Sequence, residues 1–317
     1  MIHRIAVHPS QYPPSVDARL GQAIRHKRIP SRLLYDSHAQ AGRWLQYHDA
    51  WSPARTDETV EDLYARLAIK LPEARTLVSM GSGGGQKDLA VLKASSARGY
   101  VPVDTSPHLV MTSALRARPL GIDIQPWLVD LEDGLPRLNE EPSAVACFGI
   151  LPNFEMTWFL EAAGAAVGAG DTLLLSANLA PEPWRGTPSS AIDAIVAQYD
   201  NPFGRRWVEG GLRELGLGAD RYHMVYRLRS LRADGHAFRI EAVCRLKEDV
   251  KIVLPFVEAE WEEGTEWVAF FSNRLSLDLA EAILEEGTGL QVTDREVSRQ
   301  GLEGVYRLEG SRPKESG

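Results

Sequence analysis

The sequence predicts an α/β protein whose main part is a doubly wound, mostly parallel sheet, joined to a second lobe with antiparallel strands. Between residues 61 and 195, apolar runs of about six residues alternate with segments of helical spacing about eleven residues long, the pattern of a parallel sheet. After residue 195 the β-type runs follow one another with only short polar turns between them, which indicates antiparallel strands. A chain of 317 residues has room for two lobes, because one core rarely grows beyond about 250–300 residues.

The elements of the first lobe follow in order. Residues 61–71 have helical spacing, residues 76–80 form an apolar run, and residues 81–85 read Gly-Ser-Gly-Gly-Gly, so this part predicts a helix, a strand and a glycine loop. The same patterns predict helices at 87–97, 107–118 and 158–167, and strands at 100–103, 122–129, 144–150 and 172–177.

The second lobe is predicted from β-type runs at residues 222–231, 238–246, 250–256 and 266–272. Between the last two, the glutamate-rich segment 258–266 is interpreted as a solvated turn. A helix at 277–286 and strands at 290–297 and 304–308 are expected to return to the first sheet as a terminal hairpin. Because the first 60 residues have weak periodicity, we assign them to the second lobe, which gives one domain from 61–195 and 277–317 and a discontinuous second from 1–60 and 196–276.

Composition excludes several classes of protein. A net charge of -8 argues against a partner as acidic as nucleic acid or an anionic membrane. The two cysteines, Cys147 and Cys244, lie far apart and outside any Cys/His cluster, so neither a disulfide framework nor a metal site is expected. No apolar stretch reaches 18 residues without interruption. We therefore expect a cytoplasmic protein, a monomer or weak dimer, that acts on a small molecule.

The glycine loop predicts a site for an anion. A strand followed by glycines and a helix places free N–H groups and the positive end of a helix dipole at one edge of the sheet. The dinucleotide pattern GxGxxG fails at Gln86, and the ATP-binding pattern GxxxxGK[ST] fails at Gln86 and Asp88. The remaining pattern is GxGxG at Gly81, Gly83 and Gly85, which suits a carboxylate; a plain glycine turn is the alternative.

Two acidic residues at strand ends make the ligand more specific. Asp104 closes the strand after the loop, where a doubly wound fold places the carboxylate that accepts ribose hydroxyls. Asp130 closes the next strand, where it can accept an exocyclic adenine amine while Leu131 contacts the base. The alternative is that both acids only bind backbone amides of their own turns. An adenosine with a carboxylate tail describes S-adenosylmethionine.

Several segments of the sequence resemble the histidine Nα-methyltransferases of ergothioneine biosynthesis, in the order of that family. These segments are YDS at 35–37, the glycine loop at 80–83 with Lys87, YVPVDTS at 100–106, VDLEDGL at 129–135, GILPNF at 149–154, GDTLLL at 170–175, YD at 199–200 and RIE at 239–241. The resemblance implies a Rossmann-like class I methyltransferase domain, S-adenosylmethionine as cofactor, and a discontinuous α+β substrate-binding lobe.

The resemblance also implies roles for individual residues. The implied cofactor-binding residues are Gly81, Gly83, Lys87, Asp104, Asp130 and Leu131, with Lys87 near the cofactor carboxylate. The implied substrate-binding residues are Tyr35, Asn153, Tyr199, Phe270 and Ser272, of which Tyr35 and Tyr199 are the implied catalytic residues.

One departure from the family pattern concerns the substrate. Where the family has a glutamate in a TExS motif, this sequence has Phe270, and only Ser272 of the motif is kept. The exchange removes an acceptor for a polar ring, so we expect a substrate other than histidine. Aromatic faces could instead hold a methylated cation; the candidates are Trp44, Tyr47, Trp51, Trp267 and Phe270.

These observations predict an S-adenosylmethionine-dependent N-methyltransferase that acts on the amine of a small amino acid or related metabolite. The alternative is a protein that binds the cofactor but has lost catalysis and serves as a scaffold or regulator. A nucleotide-dependent oxidoreductase would require the GxGxxG pattern that this loop does not have.

Overall fold

A computed structural model describes residues 1–51, 59–68, 76–137, 142–187 and 189–310. The predictions made for residues 69–71 and 311–317 lie outside this part. The described helices are α1 Pro13–Arg25, α2 His38–Trp51, α3 Val60–Ala68, α4 Gln86–Ala94, α5 Pro107–Ala117, α6 Met156–Ala166, α7 Ser190–Ala197, α8 Pro202–Glu214 and α9 Ala280–Thr288. The described strands are β1 Ala6–Val7, β2 Thr76–Met80, β3 Gly99–Asp104, β4 Asp123–Ile124, β5 Trp127–Leu128, β6 Ala144–Cys147, β7 Thr172–Ala180, β8 Tyr222–Ser230, β9 Ala237–Leu246, β10 Val250–Leu254, β11 Val257–Trp261, β12 Glu266–Ser276, β13 Gln291–Val297 and β14 Glu303–Glu309.

The main sheet has the doubly wound order that the alternation of strands and helices predicted. Strands β1, β5, β3, β2, β6 and β7 lie side by side and parallel. Strand β14 pairs antiparallel with β7 and with β13, so the expected terminal hairpin does return to this sheet. The fold class is therefore confirmed: a mixed α/β protein with a Rossmann-like, mostly parallel sheet.

Local sequence explains where several helices begin. The Ser106 side chain accepts a hydrogen bond from the N–H of Leu109, and a proline follows it at the first position of α5. Asn201 caps α8 in the same way, again with a proline next in sequence. Such residues satisfy N–H groups that a helix cannot satisfy itself, and the proline has no N–H to lose.

The antiparallel strands extend the same sheet. Strand β12 pairs antiparallel with β9, which pairs with β8, while the end of β12 runs parallel to the end of β7 through Leu275 and Leu179. Strands β10 and β11 form a separate hairpin. The predicted strands after residue 195 are thus present, and their attachment to β7 brings residues of β12 to the edge of the parallel sheet.

Two local predictions were wrong. Residues 258–261 belong to strand β11 and not to a turn, because Val257 and Trp261 face the core while the glutamates between them face solvent. The run predicted as one strand at 122–129 is two short strands, with Gln125 and Pro126 between them. Proline has no N–H to contribute to a continuous ladder.

The apolar side chains form three clusters. Two lie on the faces of the parallel sheet, with Phe159 and Leu173 in one and Leu63 and Tyr100 in the other. The third joins the N-terminal helices and α8 to the antiparallel strands and includes the fully buried Trp207. The division of the chain at residues 60, 195 and 277 stays a prediction. None of the described helices has the length and apolar content that crossing a bilayer requires.

Candidate active site

One cavity contains every cofactor-binding, substrate-binding and catalytic residue that the sequence predicted. It lies at the carboxyl ends of the parallel strands, where β2 leads into the glycine loop and β3 ends at Asp104, and residues of helix α2 line it from another side. The predicted residues on its wall are Tyr35, Gly81, Gly83, Lys87, Asp104, Asp130, Leu131, Asn153, Tyr199, Phe270 and Ser272. The fold thus brings all of them together.

The glycine loop requires glycine at its three spaced positions. Gly81, Gly83 and Gly85 have φ angles of 66°, 54° and 70°, a region that residues with a Cβ atom rarely adopt. A Cβ atom at Gly81 would lie 2.3 Å from Cγ2 of Ile150, and one at Gly83 would lie 2.7 Å from the Trp44 ring. The loop therefore packs its backbone tightly beneath the cavity and leads directly into the N-terminus of α4.

Asp104 stabilises this loop by hydrogen bonds and also lines the cavity. Its Oδ2 accepts a hydrogen bond from the Gly83 N–H at 2.9 Å, and its Oδ1 accepts one from the Ser106 N–H at 3.0 Å. Burial raises the pKa of Asp104 to about 6, although these N–H groups act in the opposite direction. A carboxylate has about four acceptor positions, so contacts to backbone amides leave positions for a ligand.

Asp130 is held by arginines that the sequence did not single out. Its Oδ1 accepts a hydrogen bond from the Glu132 N–H at 3.1 Å, and its Oδ2 lies 3.0 Å from Nη2 of Arg19 and 3.8 Å from Nη1 of Arg32. Burial raises the pKa of Asp130, with the arginines opposing it. Leu131 follows as the buried first residue of a short 3-10 helix. In the sequence, the one signal that could have pointed to Arg32 is that it lies three residues before Tyr35.

Lys87 has a buried partner that no local pattern indicates. Its Nζ lies 2.5 Å from Oε1 of Glu303 on β14, and the Tyr64 hydroxyl donates to the same oxygen at 2.5 Å. The other carboxylate oxygen of Glu303 is buried and has no hydrogen-bond partner in the described ranges. A Cβ atom at Gly149 would lie 3.2 Å from the Lys87 Nζ. The ammonium group is therefore fixed between Glu303 and the cavity.

The opposite end of the cavity combines hydroxyl groups with aromatic rings. The Tyr199 hydroxyl and the Ser272 Oγ lie 2.8 Å apart. The Phe270 ring lies between two other rings, with centroids 5.9 Å from Tyr199 and 4.9 Å from Trp207. The side-chain Nδ2 of Asn178 donates to both of these hydroxyl oxygens, each at 3.4 Å. We call this the acceptor end, and the part with Gly81, Lys87, Asp104, Asp130 and Leu131 the cofactor end.

Tyr35 and Asn153 complete the acceptor end. The Tyr35 ring packs edge-on against Trp44 at 6.0 Å and tilted against Trp207 at 5.6 Å. Burial raises the pKa of Tyr35 well above its ordinary value, so its phenol stays protonated near neutral pH. Among the described residues, neither the Tyr35 hydroxyl nor the Asn153 side-chain amide has a hydrogen-bond partner, and both line the cavity. Both groups are available to a ligand.

The aromatic candidates divide between the cavity and the core. Trp44, Tyr47 and Trp51 of α2 line the cavity together with Phe270. Trp267 does not line the cavity. Its ring packs in the core beneath the antiparallel strands, with its centroid 5.1 Å from that of Trp261. It lies on β12 three residues before Phe270, and an irregular register between Val268 and Phe270 separates the two along the strand.

The cofactor end fits S-adenosylmethionine. Glycines that exclude side chains leave room for close approach of a ligand, and Asp104 can accept ribose hydroxyls. The ammonium group of Lys87 is paired with Glu303 and lines the cavity, where its other N–H groups can donate to a carboxylate. In the part of the chain that the structure describes, no group of three or more His, Cys, Asp or Glu side chains is placed to hold a metal ion.

Comparison with known proteins agrees with this class. A family model described as histidine-specific, S-adenosylmethionine-dependent methyltransferase matches residues 15–208. The protein is therefore an S-adenosylmethionine-dependent methyltransferase. The match covers more than half of the chain, and the chain belongs to this histidine-specific methyltransferase family. A search of curated protein sequences gives no match.

Solved methyltransferase structures resemble the fold at low sequence identity. One is an S-adenosylmethionine-dependent methyltransferase from Clostridium acetobutylicum ATCC 824, with 10% identity, a TM-score of 0.45, and coverage of 86% of this chain and 99% of that one. Another is the mitomycin 7-O-methyltransferase MmcR, with 15% identity, a TM-score of 0.44, and coverage of 96% and 74%. A third is the glycopeptide N-methyltransferase MtfA with S-adenosyl-L-homocysteine, with 12% identity, a TM-score of 0.42, and coverage of 79% and 87%.

Proposed function

We propose that the protein transfers a methyl group to the amine of a small amino acid or related metabolite other than histidine. The observation that carries this proposal is the composition of the acceptor end. Tyr35 and Asn153 offer uncommitted polar groups there, while Phe270 stands where the family has a glutamate. A polar ring such as imidazole would face an aromatic side chain at that position, without the carboxylate that could accept its N–H.

The cofactor end supplies the contacts that would hold S-adenosylmethionine. In this arrangement Asp104 accepts the two ribose hydroxyls, Asp130 accepts the adenine amine, Leu131 contacts the base, and Lys87 binds the carboxylate tail. S-adenosylmethionine carries its methyl group on a positively charged sulfur, which makes that carbon open to attack by a neutral amine. The cavity continues from these residues to Tyr199 and Phe270, so a methyl donor at one end can face an acceptor at the other.

The residues of the acceptor end orient the amine rather than supply a strong base. Tyr35 stays protonated because burial raises the pKa of its phenol, so it acts as a hydrogen-bonding group. Together with Asn153 and Tyr199 it can hold a neutral amine with its lone pair directed at the methyl carbon. As the new C–N bond forms, the methyl–sulfur bond breaks, its electron pair stays on the sulfur, and the positive charge passes from the sulfur to the nitrogen. Such positioning accounts for much of the rate of a displacement reaction in a site that excludes water.

The aromatic rings suit the product. A methylated amine is a cation with few or no N–H donors, and aromatic faces attract such cations by cation–π interaction. Phe270 lies beside Tyr199 at the acceptor end, and Trp44 and Trp51 line the cavity from α2. These rings would hold a methylated ammonium group without a carboxylate.

The direct test is a turnover assay with purified protein. S-adenosylmethionine would be added with each amino acid in turn, and with the related amines, while release of S-adenosylhomocysteine and the mass of the product are followed. We expect N-methylation of an amino acid other than histidine, and no product from an Asp104→Ala control. Turnover with histidine alone would contradict the proposed substrate. Tight binding of S-adenosylhomocysteine with no turnover on any acceptor would favour the non-catalytic scaffold.

A further inference from the structure

We propose that Arg274 is a positioning residue that makes the acceptor end select amines bearing a carboxylate over the same amines without one. The proposal rests on the proposed function, because it concerns the acceptor in the same methyl transfer. Arg274 lies on β12 and is completely buried. Its Nη1 donates to the carbonyl oxygens of Leu179 and Leu302, at 2.8 and 3.3 Å. The side chain is therefore fixed behind the wall of the cavity.

The charge of Arg274 has no counterion in the described ranges. All the hydrogen bonds of its guanidinium go to neutral oxygens, and its Nε is buried without any partner among the described residues. Arg239, on the neighbouring strand, differs: its two terminal nitrogens lie 2.9 and 3.0 Å from the carboxylate of Glu155. Burying a cation without an anion is unfavourable. An uncompensated cation beside a cavity is a feature expected where an anionic ligand supplies the missing charge.

A short hydrogen-bond chain connects Arg274 to the cavity. Its Nη2 donates to the Tyr199 hydroxyl oxygen at 3.0 Å, and that oxygen lies 2.8 Å from the Ser272 Oγ. Tyr199 and Ser272 together have two hydroxyl hydrogens, and the bond between them uses one. Since both residues line the cavity, the other hydrogen is available to a ligand. The hydroxyl pair therefore presents a donor, which suits a carboxylate oxygen better than an ammonium group.

The distribution of charge around the cavity favours the same orientation. Asp104 and Asp130 are engaged at the cofactor end, with Gly83 and Arg19. The aromatic rings beside Tyr199 are those of Phe270 and Tyr47, with centroids 5.9 and 6.5 Å away. A positive charge behind Tyr199 attracts the carboxylate of an amino acid and disfavours its ammonium form. It thereby favours the neutral amine that attack on the methyl carbon requires.

The test compares acceptors that differ only in charge. Each amino acid methylated by the protein is paired with its amide, which has the same amine but no carboxylate, and kcat/KM is measured for both. We expect the wild type to prefer the acid at least tenfold. Arg274→Met should lower this ratio at least fivefold, through a higher KM for the acid and little change for the amide. Arg274→Lys, which keeps the charge, should restore most of the preference.

Arg239→Met is the matched control, because it removes a buried arginine that already has a counterion. It should leave the ratio of acid to amide unchanged, and thermal unfolding and S-adenosylhomocysteine binding should be measured for each variant. If Arg274→Met does not fold, Tyr199→Phe removes the hydroxyl that connects Arg274 to the cavity and should lower the ratio as well. A wild type that uses acid and amide equally, or an Arg274→Met protein that keeps the full preference, would overturn the proposal.

Failure of this proposal can be distinguished from failure of the proposed function. If no acceptor is methylated, the proposed function is wrong, and the inference is then tested by equilibrium binding alone. Calorimetry with the complex of protein and S-adenosylhomocysteine would titrate the same pairs of amino acid and amide. Stronger binding of the acids, reduced in Arg274→Met, supports charge selection by Arg274. Equal or undetectable binding of both members contradicts it.

Discussion

The two ends of the cavity are built in different ways. The cofactor end comes from one continuous part of the chain, in which the glycine loop, Lys87, Asp104 and Asp130 follow one another at successive strand ends. The acceptor end is assembled from segments far apart in sequence, with Tyr35 just before helix α2 and Phe270 on the antiparallel strand β12. We therefore expect that a change at a single position such as Phe270 alters the acceptor end while the cofactor end stays intact.

The largest effect is expected at the cofactor end, from Asp104→Ala. Loss of two hydrogen bonds to a charged acceptor should weaken S-adenosylhomocysteine binding by about a hundredfold or more, measured by calorimetry. Asp123→Ala is the matched control, because Asp123 is an exposed acid of the same sheet that does not line the cavity. Unchanged affinity in Asp104→Ala would show that Asp104 does not bind the ribose.

A second test asks how much of the need for glycine in the loop comes from tight packing and how much from the positive φ angle. Gly81→Ala should lower the free energy of unfolding by about 2–4 kcal/mol, because the added methyl group overlaps Ile150 in addition to straining the backbone. Gly121 has a similar φ of 70° but open space around it, so Gly121→Ala should cost only about 1 kcal/mol. Urea denaturation measures both. Equal losses would show that the contact with Ile150 is unimportant.

A third test addresses the acceptor end alone. Phe270→Glu restores an acceptor where the family has one, and we expect it to shift the preference toward histidine by about tenfold in kcat/KM. Affinity for S-adenosylhomocysteine should stay as in the wild type, because Phe270 lies away from the glycine loop. Phe270→Leu is the control, since it changes the shape of the wall without adding an acceptor. If Phe270→Glu methylates the same substrates as the wild type, Phe270 does not take part in selecting the substrate.

The smallest expected effect is a pH dependence of cofactor binding. Burial raises the pKa of Asp104 to about 6, and only its ionised form accepts ribose hydroxyls as a charged group. Affinity should therefore fall as pH falls through about 6, by about fourfold between pH 7.5 and 5.5. Burial also raises the pKa of Asp88 to about 6, so calorimetry should be repeated with Asp88→Asn. The fall should persist in that variant and disappear in Asp104→Asn.

The cofactor end could be predicted from sequence because its signals are local. A strand, a run of glycines and an acid at the next strand end are visible within a short segment, and the structure has β2, Gly81 and Asp104 at those places. The strand β11 was missed because two glutamates on its exposed face concealed the alternation between Val257 and Trp261. The positions of the acceptor-end residues came from the family resemblance rather than from periodicity.

Other residues could not be predicted from any local pattern. Glu303 reaches Lys87 only because β14 pairs with β7, and Arg274 reaches Tyr199 only because the end of β12 joins the same strand. Each contact depends on sheet pairing between segments more than 70 residues apart. Such long-range pairs are fixed by the whole topology and leave no spacing in the sequence that identifies them.

A crystal structure with S-adenosylhomocysteine would test the arrangement of the whole cavity. It should place the ribose hydroxyls on Asp104, the adenine between Asp130 and Leu131, and the sulfur toward the part of the cavity lined by Tyr199. A ribose bound away from Asp104, or a sulfur directed away from Tyr199, would contradict the division of this cavity into a cofactor end and an acceptor end.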